Sequence, residues 1–164
     1  MAITKDKKRD IVAKVSDALG KATSAVFVRF NKLNVANTTA MRRALKKEGI
    51  GYYVAKKTLL HRALVEHGYE GQVPDLEGEI ALVWSDSDPT APARRIYEHA
   101  KKYKGALTIM GGVFENAFAD AVKMTAIATI PSVPVLRGMF VNVINSPIQG
   151  LVIALDKIRE QKAA

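Results

Sequence analysis

The sequence predicts an α/β (α+β) fold: a two-layer sandwich with one four-stranded sheet and helices, followed by a helical extension at the C-terminus. Three observations carry this. Segments of helical and strand periodicity alternate through residues 1–128, the pattern of a sheet covered by helices. Hydrophobic residues make up 48% of the 164, enough for a buried core and too many for a disordered chain. Two proline junctions, Ile130-Pro131-Ser132 and Ser146-Pro147, come after the alternation has ended, which divides the chain into 1–130 and 131–164.

Each element has its local reason. Lys5 to Leu19 reads as a helix with Ile11, Val12, Val15, Ala18 and Leu19 on one stripe and Gly20 as its stop. Ala25 to Phe30 is β-branched and aromatic, hence a strand ended by polar Asn31-Lys32. A second helix runs from about Val35 to Glu48, with Asn34 as N-cap and Gly49 as C-cap. Its apolar share is only Met41, Ala44 and Leu45. Tyr52 to Ala55 gives a second strand, and Lys56-Lys57-Thr58 leads into a third helix, Leu59 to His67, stopped by Gly68. After a loop over Gln72–Gly78, the unbroken apolar run Ile80 to Trp84 reads as a strand buried on both faces. Asp88-Pro89 opens a fourth helix with a cap followed by proline, and Gly105 ends it. Leu107 to Phe114 is the fourth strand, with a bulge or close backbone approach at Gly111-Gly112. Asn116 is expected to cap a short helix reaching Ala128. Beyond Pro131 and Pro147 lie two helical segments, the second with Ile148, Leu151, Val152, Leu155 and Ile158 on one stripe.

Charge separates the chain as sharply as periodicity does. Residues 1–62 hold 15 Lys/Arg against 4 Asp/Glu, a net of +11, whereas residues 63–164 hold 10 against 12, a net of −2. A positive field confined to one end points to nucleic acid, with an anionic membrane or simple solubility as the alternatives. No cysteine is present, which excludes disulfides and thiolate metal sites and suits a reducing cytosol. The first residues run straight into Lys5-Asp6-Lys7-Lys8-Arg9, so no secretory signal is expected. The longest apolar tract, Val133 to Leu155, contains Arg137, Asn142, Asn145, Pro147 and Gln149, so it is read as lying outside a membrane.

Catalysis is not expected. His61, His67 and His99 are not spaced with carboxylates as metal ligands usually are, and read as solvated or half-buried helix residues. Phosphate-loop, dinucleotide and nucleophile-elbow motifs do not occur, so no cofactor or metal is expected. The basic constellation is more informative. Arg42, Arg43, Lys46 and Lys47 make one broad helix face, and Glu48 is the only acid between Ala18 and Val65. Lys56 and Lys57 stand at a helix start, whose free N–H groups and positive dipole end favour phosphate, and Thr58 either caps that helix or adds a hydroxyl. With Lys5, Lys7, Lys8, Arg9 and Arg62 these form the candidate RNA contacts, which would supply affinity and position rather than base readout. The C-terminal stripe has two readings: an ordinary core helix folded back on the sheet, or a projecting helix for apolar grooves of partner helices.

The run Met41-Arg42-Arg43-Ala44-Leu45, Glu48-Gly49 and Lys56-Lys57-Thr58-Leu59-Leu60-His61-Arg62-Ala63-Leu64 is similar to the signature of the tenth large-subunit ribosomal protein, the bacterial stalk-base family. Phe30 to Val35 resembles the loop before the family's second helix, and Ile130-Pro131-Ser132 and Asn145-Ser146-Pro147-Ile148 resemble its junctions. Lys57 stands where the family usually has Asn, Asn31-Lys32 where it often has Arg/Lys-Gly, and Glu79 where Pro is frequent. The resemblance implies a ferredoxin-like N-terminal domain on large-subunit rRNA beside the eleventh large-subunit protein. It further implies a C-terminal helix carrying dimers of the acidic stalk protein, which recruit GTP-bound translation factors, all in the cytoplasm on the ribosome. The expected role is thus a non-enzymatic scaffold. Its rivals are a free RNA-binding regulator without a stalk role and a small α/β enzyme acting on a phosphorylated substrate.

Overall fold

The computed structural model describes residues 4–71, 74, 76–103 and 105–163. The loop expected over Gln72–Gly78 therefore lies partly outside the described residues. The chain divides into two compact units, Met1–Ile130 and Pro131–Ala164.

In the first unit the elements run α1 (Lys5–Lys21), β1 (Ser24–Phe30), α2 (Val35–Lys47), β2 (Ile50–Val54) and α3 (Lys57–His67). They continue as β3 (Ile80–Ser85), α4 (Ala91–Lys102), β4 (Leu107–Phe114), β5 (Ala117–Asp120) and α5 (Ala121–Ala128). The sheet has the order β2-β3-β1-β4-β5 with every neighbouring pair antiparallel. Within it, β1-α2-β2 and β3-α4-β4 are two crossovers joining parallel, non-adjacent strands, which is the ferredoxin-like arrangement of four strands. The α/β class, the sheet with its helices and the helical extension are as the sequence predicts.

The two layers of that arrangement are visible in the packing. Val26 and Val28 of β1 and Val83 of β3 point to one face, where Met41 and Leu45 of α2, Ile96 of α4 and Met124 of α5 cover them. Ala25, Phe27 and Leu82 alternate to the other face, as the pleat requires. There α1 and α3 add a further covering, through Val15 and Leu19 and through Leu60, Ala63 and Leu64. Phe27, Leu60, Leu64 and Leu82 are almost wholly buried, each worth about 1.5–3 kcal/mol relative to exposure.

Several local expectations are corrected. The sheet has a fifth strand where a helix was expected from Asn116. Glu115 and Asn116 have φ of 52° and 62°, and Phe114 pairs with Ala117 across them, so they form a two-residue hairpin turn of the primed kind. The helix cap passes to Asp120, whose carboxylate accepts from the Ala121 N–H at 2.7 Å. α1 continues through Gly20 to Lys21. β2 begins two residues before Tyr52, and α4 begins at Ala91 because Asp88 instead closes a turn, accepting from the Thr90 N–H at 2.9 Å. The bulge at Gly111 is present: Phe27 faces Gly111 and Val28 faces Ile109, with Gly111 at φ 147°. The outer edge of β5 is occupied by Glu70, which accepts from the Phe118 N–H at 2.9 Å and donates to Asn116 O at 3.1 Å. The outer edge of β2 has no partner strand among the described residues.

The second unit is one helix, α6 (Val133–Ala163), with Pro147 inside it rather than between two segments. Proline removes one backbone donor and tends to kink a helix, yet α6 is helical on both sides of Pro147.

Candidate nucleic-acid interface and the C-terminal helix

α3 begins at Lys57 with Lys56 as its N-cap, and no side chain bonds its first N–H groups. Thr58 is an exposed residue of the first turn and does not cap the helix, which corrects one of its two expected roles. α1 lies beside α3, and between them runs a cleft of ≈ 530 Å³ lined by Lys8, Arg9 and Arg62, with Val12 and Leu59 as its floor. An adjoining hollow of ≈ 370 Å³ is bounded by Lys8, Lys56, Thr58 and Arg62. The fold thus brings Lys8 and Arg9 from the start of the chain against Lys56, Thr58 and Arg62, some fifty residues later. Lys57 turns to a neighbouring groove with Phe30, Gly78 and Glu79. Lys7 is exposed and lines neither hollow, and the Lys5 side chain lies outside the described residues.

Arg42, Arg43, Lys46 and Lys47 are exposed on α2, which packs on the opposite face of the sheet from α3. The single basic half expected from sequence is therefore two clusters on two faces. Arg42 lies over the Tyr52 ring, 4.9 Å from its centroid. Burial raises the Tyr52 phenol above its ordinary value, with the Arg42 charge and hydrogen bond opposing. This pairing was missed from sequence, because it depends on the register that places β2 under α2. Glu48, the one acid of the region, is bound by Arg95 of α4. Among the described residues, the ion pairs use Arg94, Arg95 and Arg159, and none uses a cation of α1, α2 or α3.

Sequence reasoning also missed two occupants of the cleft, Ser16 and Glu66. Their signal was the helical spacing that sets Ser16 beside Val12 and Glu66 beside Arg62. His67 joins the same two helices: its Nε2 lies 2.8 Å from Ser16 Oγ and 3.0 Å from Ser16 O. His99 is half-buried and stacked on Tyr103, and burial foremost lowers its pKa, with the Lys102 charge adding to it. His61 is exposed. Among the described residues, no group of three or more His, Asp or Glu is placed to hold a metal ion.

On α6, Ile148, Leu151, Val152, Leu155 and Ile158 are between 49% and 62% exposed, so α6 does not bury this stripe by itself. A second apolar set, Leu136, Met139, Phe140, Val143 and Ile144, precedes it and is exposed too. At 100° per residue the apolar face turns by roughly 90° between the two sets, with Pro147 at the junction. By length and composition α6 could cross a membrane. However, Asn142, Asn145, Gln149, Asp156 and Glu160 fall within about 60° of one another on its surface. A continuous polar stripe of this kind belongs to an amphipathic helix.

A family model described as "Ribosomal protein L10" matches residues 3–101. Three relatives are each called "Large ribosomal subunit protein uL10". The chain is 36% identical to that of Clostridium acetobutylicum over 157 residues, 96% of this chain and 93% of the relative. It is 36% identical to that of Shouchella clausii and 32% to that of Alkaliphilus metalliredigens, each over 96% of this chain and 94% of the relative. These matches place the chain among ribosomal proteins, a structural rather than catalytic class. It belongs to the ribosomal protein L10 family, in its bacterial large-subunit form, uL10.

Proposed function

We propose that the chain is the anchor of a ribosomal stalk. Its N-terminal unit holds large-subunit rRNA through Lys5, Lys7, Lys8, Arg9, Arg42, Arg43, Lys46, Lys47, Lys56, Lys57, Thr58 and Arg62. It sits there beside the eleventh large-subunit protein. Its α6 stripe, Ile148 to Ile158, carries dimers of the acidic stalk protein. Those dimers recruit GTP-bound translation factors, so the mechanism is tethering that raises factor concentration near the ribosome in the cytoplasm. The observation that carries this reading is the segregation itself. Among the described residues the cations of α1, α2 and α3 form no ion pair, and an exposed apolar stripe runs along α6. A free RNA-binding regulator has no use for that stripe, and the exposed α6 residues do not favour one.

One experiment tests both halves. The full chain and a chain ending at Ser146 are mixed with a large-subunit rRNA transcript and the acidic stalk protein, across a salt series. Both chains are expected to retain RNA, with log affinity falling linearly as log salt rises, and only the full chain to retain the acidic protein. Salt-independent RNA binding, or undiminished acidic protein on the shorter chain, would overturn the corresponding half.

A further inference from the structure

We propose that the N-terminal unit bridges two separate RNA segments, one held at the α1–α3 cleft and a second on the outer face of α2. The proposal rests on the RNA-anchoring reading above and adds that the anchor has two faces.

The geometry begins with the pleat. Phe27 and Leu82 point to α1 and α3, while their chain neighbours Val26 and Val83 point to α2. The cations carried on the outer sides of these helices are therefore separated by helix, sheet and helix. At about 10 Å per packed layer the helix axes are roughly 20 Å apart, and the outward side chains are further apart still. That exceeds the screening length of roughly 8–10 Å in physiological salt, so the two clusters act as independent positive fields. A phosphate strand lying in the cleft leaves the α2 face uncovered.

The α2 face has the properties of a contact surface rather than of a solvated helix. Its four cations have no carboxylate within ion-pair distance among the described residues. Glu48, the acid best placed to neutralise them, is bound by Arg95 instead. Like charges at i, i+1, i+4 and i+5 repel one another, so the arrangement is unfavourable in isolation and is relieved by a polyanion. Arg42 is already held against the Tyr52 ring, which reduces the freedom it would lose on binding. RNA is the occupant argued for because the same unit presents the same chemistry at the cleft.

The test is hydroxyl-radical footprinting of a full-length large-subunit rRNA transcript bound by the full chain. One variant replaces Arg42, Arg43, Lys46 and Lys47 by Ala, and another replaces Lys8, Arg9, Lys56 and Arg62 by Ala. A third changes only Arg43, Lys46 and Lys47, which keeps the Arg42–Tyr52 contact and separates charge from packing. Near-ultraviolet circular dichroism confirms that each variant is folded. The expected result is that the α2 variants and the cleft variant each lose a different, non-overlapping set of protected nucleotides. Each set of changes should also flatten the log–log salt dependence by roughly 2–3 units. If both sets erase the same protections, one RNA segment wraps the β2 edge and the bridge is refuted. If the α2 variants leave footprint and slope unchanged, that face is free or serves a protein, and the bridge is again refuted while anchoring stands. If the unaltered chain protects nothing, the anchoring reading fails and the bridge with it.

Discussion

Trp84 and Gly51 face each other across the β2–β3 ladder, and the indole lies directly over the glycine backbone. A methyl group on Gly51 would overlap the ring, so the absence of a side chain is what lets the indole cover an edge strand. Replacing Gly51 by Ala is expected to destabilise the unit by about 1–3 kcal/mol, the usual cost of overpacking, measured by urea unfolding. Trp84 is the only tryptophan, so its emission reports directly on whether the ring has moved. An unshifted midpoint with unchanged emission would show that a methyl group fits beneath the ring and that the overlap is absent. Arg42 over Tyr52 is a second case in which one side chain's position is set by a partner on another element.

Among the elements, α6 is the one whose continuity is unexpected. Pro147 interrupts its hydrogen-bond ladder and stands where the apolar face turns, so its rigidity governs how the two apolar sets are presented. Pro147→Ala is expected to raise the helicity of α6 and stiffen it, by up to about 3 kcal/mol in helix propensity, seen as increased far-ultraviolet ellipticity at 222 nm. Unchanged ellipticity would mean that the proline costs the helix nothing there. Most other elements were legible from sequence because they are long and strongly patterned: α1, α2, β1, β3 and β4 all fall close to their expected places. β5 was not, since Ala117 to Asp120 is too short for period-two alternation to register and Asn116 serves turns as readily as caps. The candidate cations were all legible as residue types, whereas their division between two faces was not. That division follows from which side each connecting helix takes across the sheet, and no local pattern encodes it.

At the scale of the molecule, the buried hydrophobic side chains among the described residues fall between Val15 and Ala128. Removing residues 131–164 is therefore expected to shift the unfolding temperature by less than about 4 °C, the change that roughly 1 kcal/mol produces. Calorimetry checks this, and a large drop would mean that α6 supports the core. A helix of 31 residues extends about 46 Å, so what it carries is displayed well away from its own N-terminus. The two sheet edges also differ. Glu70 closes the edge at β5, while β2 has no partner strand among the described residues and lies between the cations of α2 and those of α3. An open strand is a template on which a second copy could build. Two copies approaching edge to edge would bring four sets of positive charge together, so the cations of α2 and α3 also oppose pairing of one copy with another at this edge.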